Sequence, residues 1–152
     1  MNIMMKVETP KKRELSKELL EKAIEFHGHG GPFMVIGLRM GVLALELLDA
    51  KGWFDLDCVV MLNWAPPDSC VIDGIQSSTG CTMGKRNIKV VEERGVAAEF
   101  THKGNAIKIA VREDVLQMVS IVFEGDDKAV KEFMDWLARV DEKSLFNTRA
   151  LF

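Results

Sequence analysis

Residues able to do chemistry gather in two stretches of this sequence. The first is Phe26-His27-Gly28-His29-Gly30-Gly31-Pro32, which holds two of the chain's three histidines. The second runs from Asp68-Ser69-Cys70 through Asp73 to Gly80-Cys81-Thr82. Neutral imidazole and thiolate are preferred ligands of zinc and similar ions, commonly three from the protein with a fourth position open in a reactive site. His27, His29 and Cys70 make such a two-histidine, one-cysteine set. Asp73 stands one helical turn beyond Cys70. There it either orients an imidazole, acts as an acid or base, or binds solvent. The bland alternative is a helix-stop loop whose histidines cap and pack, beside a buried thiol.

Helix geometry limits the set. Cys70 begins a predicted helix and Cys81 follows its end. About ten helical residues at ~1.5 Å each separate them by roughly 15 Å. Two sulfurs on one zinc, each ~2.3 Å from it, must lie within about 4 Å of each other. Within one chain, Cys70 and Cys81 therefore belong to different places. At a helix N-terminus the backbone amides and the dipole favour the thiolate, which makes Cys70 the better ligand. Cys58 falls in a continuous apolar run and reads as an inert core thiol. His102, at a hairpin end, reads as a solvated turn residue. Gly84-Lys85-Arg86 lacks the full phosphate-loop pattern and reads as a solvated basic loop or an anion-binding edge of the pocket.

The elements that must position these residues follow from spacing and punctuation. Ser16 caps a first helix to about Phe26, with Leu19, Leu20, Ala23, Ile24 and then His27 on its buried stripe. Gly28 stops it, which lets His27 and His29 point into one space. Pro32 opens a second, largely apolar helix to about Asp49. Gly37 and Gly41, four residues apart, leave one of its faces bare for close packing. Arg39 on this helix needs a partner: a carboxylate, a carbonyl or an anionic ligand. An ion pair is the bland choice and an anionic ligand at the pocket edge the functional one. Asp57 to Trp64 reads as a strand apolar on both faces. Asp68 or Ser69 caps a helix through about Ser78, ended by Gly80. Ile88–Glu93, Val96–His102 and Asn105–Val111 read as three strands joined by hairpins at Arg94-Gly95 and Lys103-Gly104, a meander. Residues 115–123 fit helix and strand alike. Asp126 or Asp127 caps a last amphipathic helix. The tail is apolar enough to dock on the body or on a second copy of the chain. The order predicts an α+β fold with a mixed sheet and helices on one side.

The 152 residues, 47% hydrophobic and 28% charged, fit one globular domain spanning 1–152, with 1–14 as an N-terminal extension and 141–152 as a C-terminal tail. A net charge of −3 gives no basic field for nucleic acid. Residues 32–48 are apolar but fall short of the ~20 residues of a span and carry Arg39 near their middle, so no membrane segment is expected. Three cysteines without a signal peptide predict reduced thiols in the cytoplasm.

The motifs in order are Phe26-His27-Gly28-His29 with Pro32, Gly37-Leu38-Arg39-Met40-Gly41, Cys70-Val71-Ile72-Asp73-Gly74-Ile75-Gln76, and Thr79-Gly80-Cys81-Thr82-Met83-Gly84-Lys85 with Asn87. This series resembles the FmdE family, proteins related to the FmdE component of formylmethanofuran dehydrogenase. The resemblance implies an α+β core and a metal pocket built from the histidine loop and the Cys70 helix. It also implies a tendency to form homodimers and an accessory role beside a molybdenum or tungsten oxidoreductase of one-carbon metabolism. Cys81, Lys85 and Asn87 would edge the pocket. Many members carry a C-terminal cysteine-rich zinc finger, absent from these 152 residues. The family pattern has a cysteine where this chain has Gly31, and a glycine where it has Arg86. Three readings follow. One is a metal-binding accessory protein holding zinc or a similar divalent ion. The second is a small metal-dependent enzyme activating water, or acting on a small anionic substrate, beside Asp73. The third is a binding module whose metal was lost with the thiol at position 31.

Overall fold

A computed structural model describes residues 15–151; the N-terminal extension 1–14 and Phe152 of the tail lie outside the described residues. The hydroxyl of Ser16 accepts from the amide of Leu19 at 3.1 Å and starts α1 (Lys17–His27). Gly28 ends α1 at φ 105°, a left-handed conformation that glycine adopts without penalty. Pro32 takes the first position of α2 (Pro32–Leu48). Helix α3 (Cys70–Thr79) ends at Gly80, again left-handed.

The sheet contains β1 (Asp57–Leu62), β2 (Ile88–Glu92), β3 (Val96–His102), β4 (Asn105–Val111) and β5 (Phe146–Ala150), in the order β2-β1-β3-β4-β5. The α+β class and the mixed sheet hold: β1 and β2 run parallel, with α3 as their crossover, and the other pairings are antiparallel. The predicted meander requires one correction. β2 and β3 do not pair with each other but flank β1, since Glu92 and Val96 both register with Leu62. Spanning two strand spacings takes ~9.6 Å. The connection through residues 93–95 reaches roughly 13 Å when extended. A short loop with a glycine therefore serves a straddling crossing as well as a hairpin.

The ambiguous run forms α4 (Glu113–Phe123), and α5 (Asp127–Arg139) is capped by Asp126. After the short α6 (Glu142–Leu145), β5 adds a strand that sequence patterning misses. Only Phe146 of its five residues is buried, so β5 is held chiefly by backbone pairing to β4.

Helix α2 lies between the sheet, which it meets at β3 and β4, and the covering helices α1, α3 and α5. That position explains its all-round apolar sequence. The glycine positions set its distance from α3. A Cβ built at Gly37 would stand 2.0 Å from the Val71 carbonyl oxygen, and one at Gly74 would stand 2.1 Å from that of Met34. Side chains there would force the two backbones apart.

Of the partners open to Arg39 it takes carbonyls, and it serves as a clasp for α5 rather than at the pocket edge. Its guanidinium is buried and donates to the carbonyls of Leu137 at 2.7 Å and Val140 at 2.6 Å, with Glu142 3.9 Å away. Burial draws its pKa below the ordinary value, and the carboxylates of Glu142 and Asp141 oppose that shift. A cation at a helix C-terminus satisfies carbonyls that the helix leaves open.

Candidate functional site

At the carboxyl end of β1 the chain leaves the sheet and enters α3, and the candidate site forms there. The close α2–α3 contact fixes the first turn of α3 beside the end of α1. His27, last residue of α1, meets Asp73 across this junction: Nδ1–H donates to Asp73 Oδ2 at 2.5 Å. The His27 side chain is 8% exposed and the Asp73 side chain 36%. A carboxylate on one imidazole nitrogen fixes the tautomer and leaves a lone pair on the other. That other nitrogen, His27 Nε2, is buried and has no hydrogen-bond partner among the described residues.

Past the Gly28 break, His29 is exposed, and its Nδ1–H donates to the Gly30 carbonyl at 2.9 Å. This bond likewise frees its Nε2. The two rings lie 4.7 Å apart between centroids. Cys70 joins both histidines around a cavity of about 210 Å³, walled also by Pro32, Phe33 and Met34. A second cavity, of about 340 Å³, borders His27, Cys70 and Asp73 and is flanked by Trp64 and Met83. The structure thus places the predicted His27, His29, Cys70 and Asp73 around two cavities that share His27 and Cys70.

Two findings qualify that set. Among the described residues no three His, Cys, Asp or Glu side chains converge closely enough to hold an ion. The Cys70 thiol is also not activated: partial burial pushes its pKa up, and the charges of Asp73 and Asp68 add to the effect. The helix-dipole reading that favours thiolate at Cys70 is corrected on this ground. By donor type the residues fit a borderline divalent ion, with two neutral imidazoles and a thiol. Asp73 is committed to His27, so it orients that imidazole rather than standing free as an acid or base.

Cys81, Lys85 and Asn87 lie beyond the other end of α3 and line none of these cavities. The Cys81 thiol is fully buried and donates to the Leu56 carbonyl at 3.4 Å. Asn87 accepts from the Thr82 amide and donates to the Trp53 carbonyl at 2.6 Å, bracing the 81–87 loop. Lys85 bonds Thr82 Oγ1 at 2.9 Å and sits 5.6 Å from the Phe54 ring centroid. Placing these three at the pocket edge is therefore a correction; the loop contributes Met83 instead. His102, read as solvated, is 7% exposed, and its Nδ1 bonds the Asp55 carbonyl at 2.7 Å. Cys58 is an inert core thiol as expected, buried and with its pKa pushed well up by desolvation.

Position 31 bears directly on the pocket. Gly31 has φ −153° and ψ 154°, extended backbone open to any residue. A Cβ there would lie 3.3 Å from Cε1 of His29. A cysteine at this position would place its side chain beside the second imidazole.

Sequence reasoning missed the pocket's apolar walls. Phe33 stacks on Phe123 with ring centroids 6.3 Å apart, and Trp64 and Met83 are 57% and 60% exposed. Phe123 comes from a segment with ambiguous periodicity. Trp64 and Met83 stand in loops with no period at all.

Comparison with known proteins reveals similarity in motif, in sequence and in fold. The family model described as FmdE, molybdenum formylmethanofuran dehydrogenase operon, matches residues 26–150. A probable S-adenosyl-L-methionine-binding protein of Archaeoglobus fulgidus is 39% identical over 74 residues, a stretch covering 46% of this chain. The chain spans only 19% of the length of that relative. The crystal structure of a tungsten formylmethanofuran dehydrogenase FmdE-like protein from Syntrophus aciditrophicus has a TM-score of 0.65 at 20% identity, over 89% of this chain and 71% of that one. At that identity the likeness concerns the fold.

Proposed function

The chain belongs to the FmdE family, and from this premise we propose that it is a metal-binding accessory protein associated with a molybdenum or tungsten oxidoreductase of one-carbon metabolism. The observation that carries the metal reading is the His27–Asp73 pair. It holds one imidazole nitrogen and leaves the other buried and unpartnered at a cavity that His29 and Cys70 share. Zinc or a similar divalent ion would be held by His27 Nε2 and His29 Nε2, with Cys70 as third ligand once it loses its proton. Such an ion would supply a Lewis-acid centre at the pocket. Asp73 orients His27, and the apolar walls limit access of water.

The three thiols are free, and among the described residues no helix is long and apolar enough to cross a membrane. Both observations are in keeping with a cytoplasmic site of action, which we include in the proposal. Among the described residues the outer edge of β2 is unpaired, and Val91 on it is 44% exposed. We assign this edge to a homodimer contact, because an open strand edge bearing an apolar residue favours strand addition. The unit proposed is a single domain over 1–152.

The test has two parts. Protein purified without an affinity tag is assayed for metal, and native extract is probed for co-purifying protein. Near-stoichiometric zinc that is lost in His27→Ala, with a large oxidoreductase retained on the wild-type protein, is the expected outcome. Equal metal content in wild type and His27→Ala contradicts the metal reading. The absence of any oxidoreductase contradicts the accessory reading.

A further inference from the structure

The histidine pocket adjoins a larger space. A cavity of about 530 Å³ shares the walls Phe33, Pro67 and Phe123 with it. Its lining carries three charges from three separate segments: Asp68 before α3, Arg94 in the β2–β3 crossing, and Glu113 at the start of α4. Arg94 and Glu113 are exposed and Asp68 is half-buried, and among the described residues none makes an ion pair with another. One cation and two carboxylates therefore face a common space that keeps them apart.

We propose that this groove binds the zwitterionic head of an α-amino acid, with its apolar side chain in the histidine pocket. The charge pattern selects this class. A simple anion attracted by Arg94 meets two carboxylates, and a simple cation attracted by Asp68 and Glu113 meets the guanidinium. An ammonium–carboxylate head satisfies both signs at once. The planar guanidinium fork matches a carboxylate bidentately. The adjoining pocket is apolar at Pro32, Phe33 and Met34 and holds the buried, unpartnered Nε2 of His27. At about 210 Å³ it has room for a side chain of leucine or methionine size. The ligand is thus an apolar amino acid, or the amino-acid end of a larger molecule.

This assignment rests on reading the His27 pocket as the functional site, and the experiment separates the two. The whole chain, with and without zinc, is titrated by calorimetry with L-leucine and L-methionine. The comparison probes are 4-methylpentanoate and 3-methylbutylamine, each lacking one charge. The amino acids are expected to bind at least about tenfold more tightly than either single-charge probe. Arg94→Gln is expected to reduce amino-acid binding about tenfold without changing the melting temperature, since Arg94 is exposed. Asp68→Asn combined with Glu113→Gln is expected to abolish the preference for the zwitterion over 4-methylpentanoate. Equal binding of 4-methylpentanoate and L-leucine overturns the proposal, as does an Arg94→Gln variant with wild-type affinity. Zinc bound normally with no amino-acid binding defeats this inference and leaves the metal reading standing. Amino-acid binding by a protein that takes up no zinc does the reverse.

Discussion

Nδ1 of His27 lies 2.5 Å from Oδ2 of Asp73, and this contact ties the last residue of α1 to the first turn of α3. The two residues are 46 positions apart. Their meeting depends on α2 and α3 packing backbone to backbone at Gly37 and Gly74. The same contact decides which nitrogen of His27 is left without a partner. Fold and candidate chemistry thus depend on one junction.

Asp73→Ala removes the group that orients His27. Zinc affinity is expected to fall about ten- to a hundredfold, the usual cost of losing a carboxylate behind a ligating histidine. Asp73→Asn, which keeps an acceptor without the charge, is expected to fall between wild type and Asp73→Ala. Competition against a chromogenic chelator measures both, and equal affinity in all three proteins contradicts the orienting role.

Gly31→Cys tests the thiol that the family pattern leads one to expect. The extended backbone accepts a cysteine, and the exposed His29 ring is free to yield the few tenths of an ångström that a Cβ 3.3 Å away requires. A third or fourth soft ligand beside His29 is expected to tighten zinc at least about tenfold. Unchanged affinity would place position 31 outside the ion's reach.

Much of this arrangement is legible in the residues themselves. Ser16, Gly28, Pro32 and Gly80 are local signals, each acting through its own backbone or its immediate neighbours, and each marks its helix end correctly. The alternation of Val96, Ala98 and Phe100 marks the buried face of β3, and His102, read as a solvated turn residue, continues that face. What escapes is non-local. The Arg94-Gly95 connection has the length of a hairpin, and only the insertion of β1 shows that it crosses a strand. β5 has no apolar period because the edge of β4 supplies its partner. Arg39 finds its acceptors about a hundred residues away, at the end of α5. Cys70 sits at a helix N-terminus, but burial and two nearby carboxylates outweigh the dipole there.

Gly74→Ala should loosen the whole junction. Its Cβ would stand 2.1 Å from the Met34 oxygen and 2.5 Å from the Leu38 amide nitrogen, both backbone atoms that cannot rotate away. A loss of about 1–3 kcal/mol or more is expected from overpacking, read by urea unfolding. Zinc affinity should fall with it, because α3 carries both Cys70 and Asp73. A variant as stable as wild type would contradict the close-packing account.

Stability should decline in alkali. Burial pushes up the pKa of Cys58, Cys70 and Cys81. The folded state therefore keeps protons that the unfolded chain releases above the ordinary thiol value of about 8.5. With fewer protons on the unfolded side, the free energy of unfolding falls as pH rises through this range, by at most ~1.4 kcal/mol per pH unit for each thiol. The stabilisation is fully present below about pH 8.5 and is lost above it. Urea midpoints measured across this window should drop, and Cys58→Ser, though less stable, should show a shallower slope. A flat profile in the wild-type protein contradicts the burial of these thiols.

Asp73 accepts from Nδ1–H of His27 and leaves Nε2 with a free lone pair for the proposed ion. Long-range proton–nitrogen correlation NMR of the imidazoles, before and after one equivalent of zinc, tests it directly. The account predicts a protonated Nδ1 and an unprotonated Nε2 on His27 in the free protein, and a large shift of that Nε2 when zinc is added. A His27 protonated on Nε2, or one whose resonances ignore zinc, would contradict it.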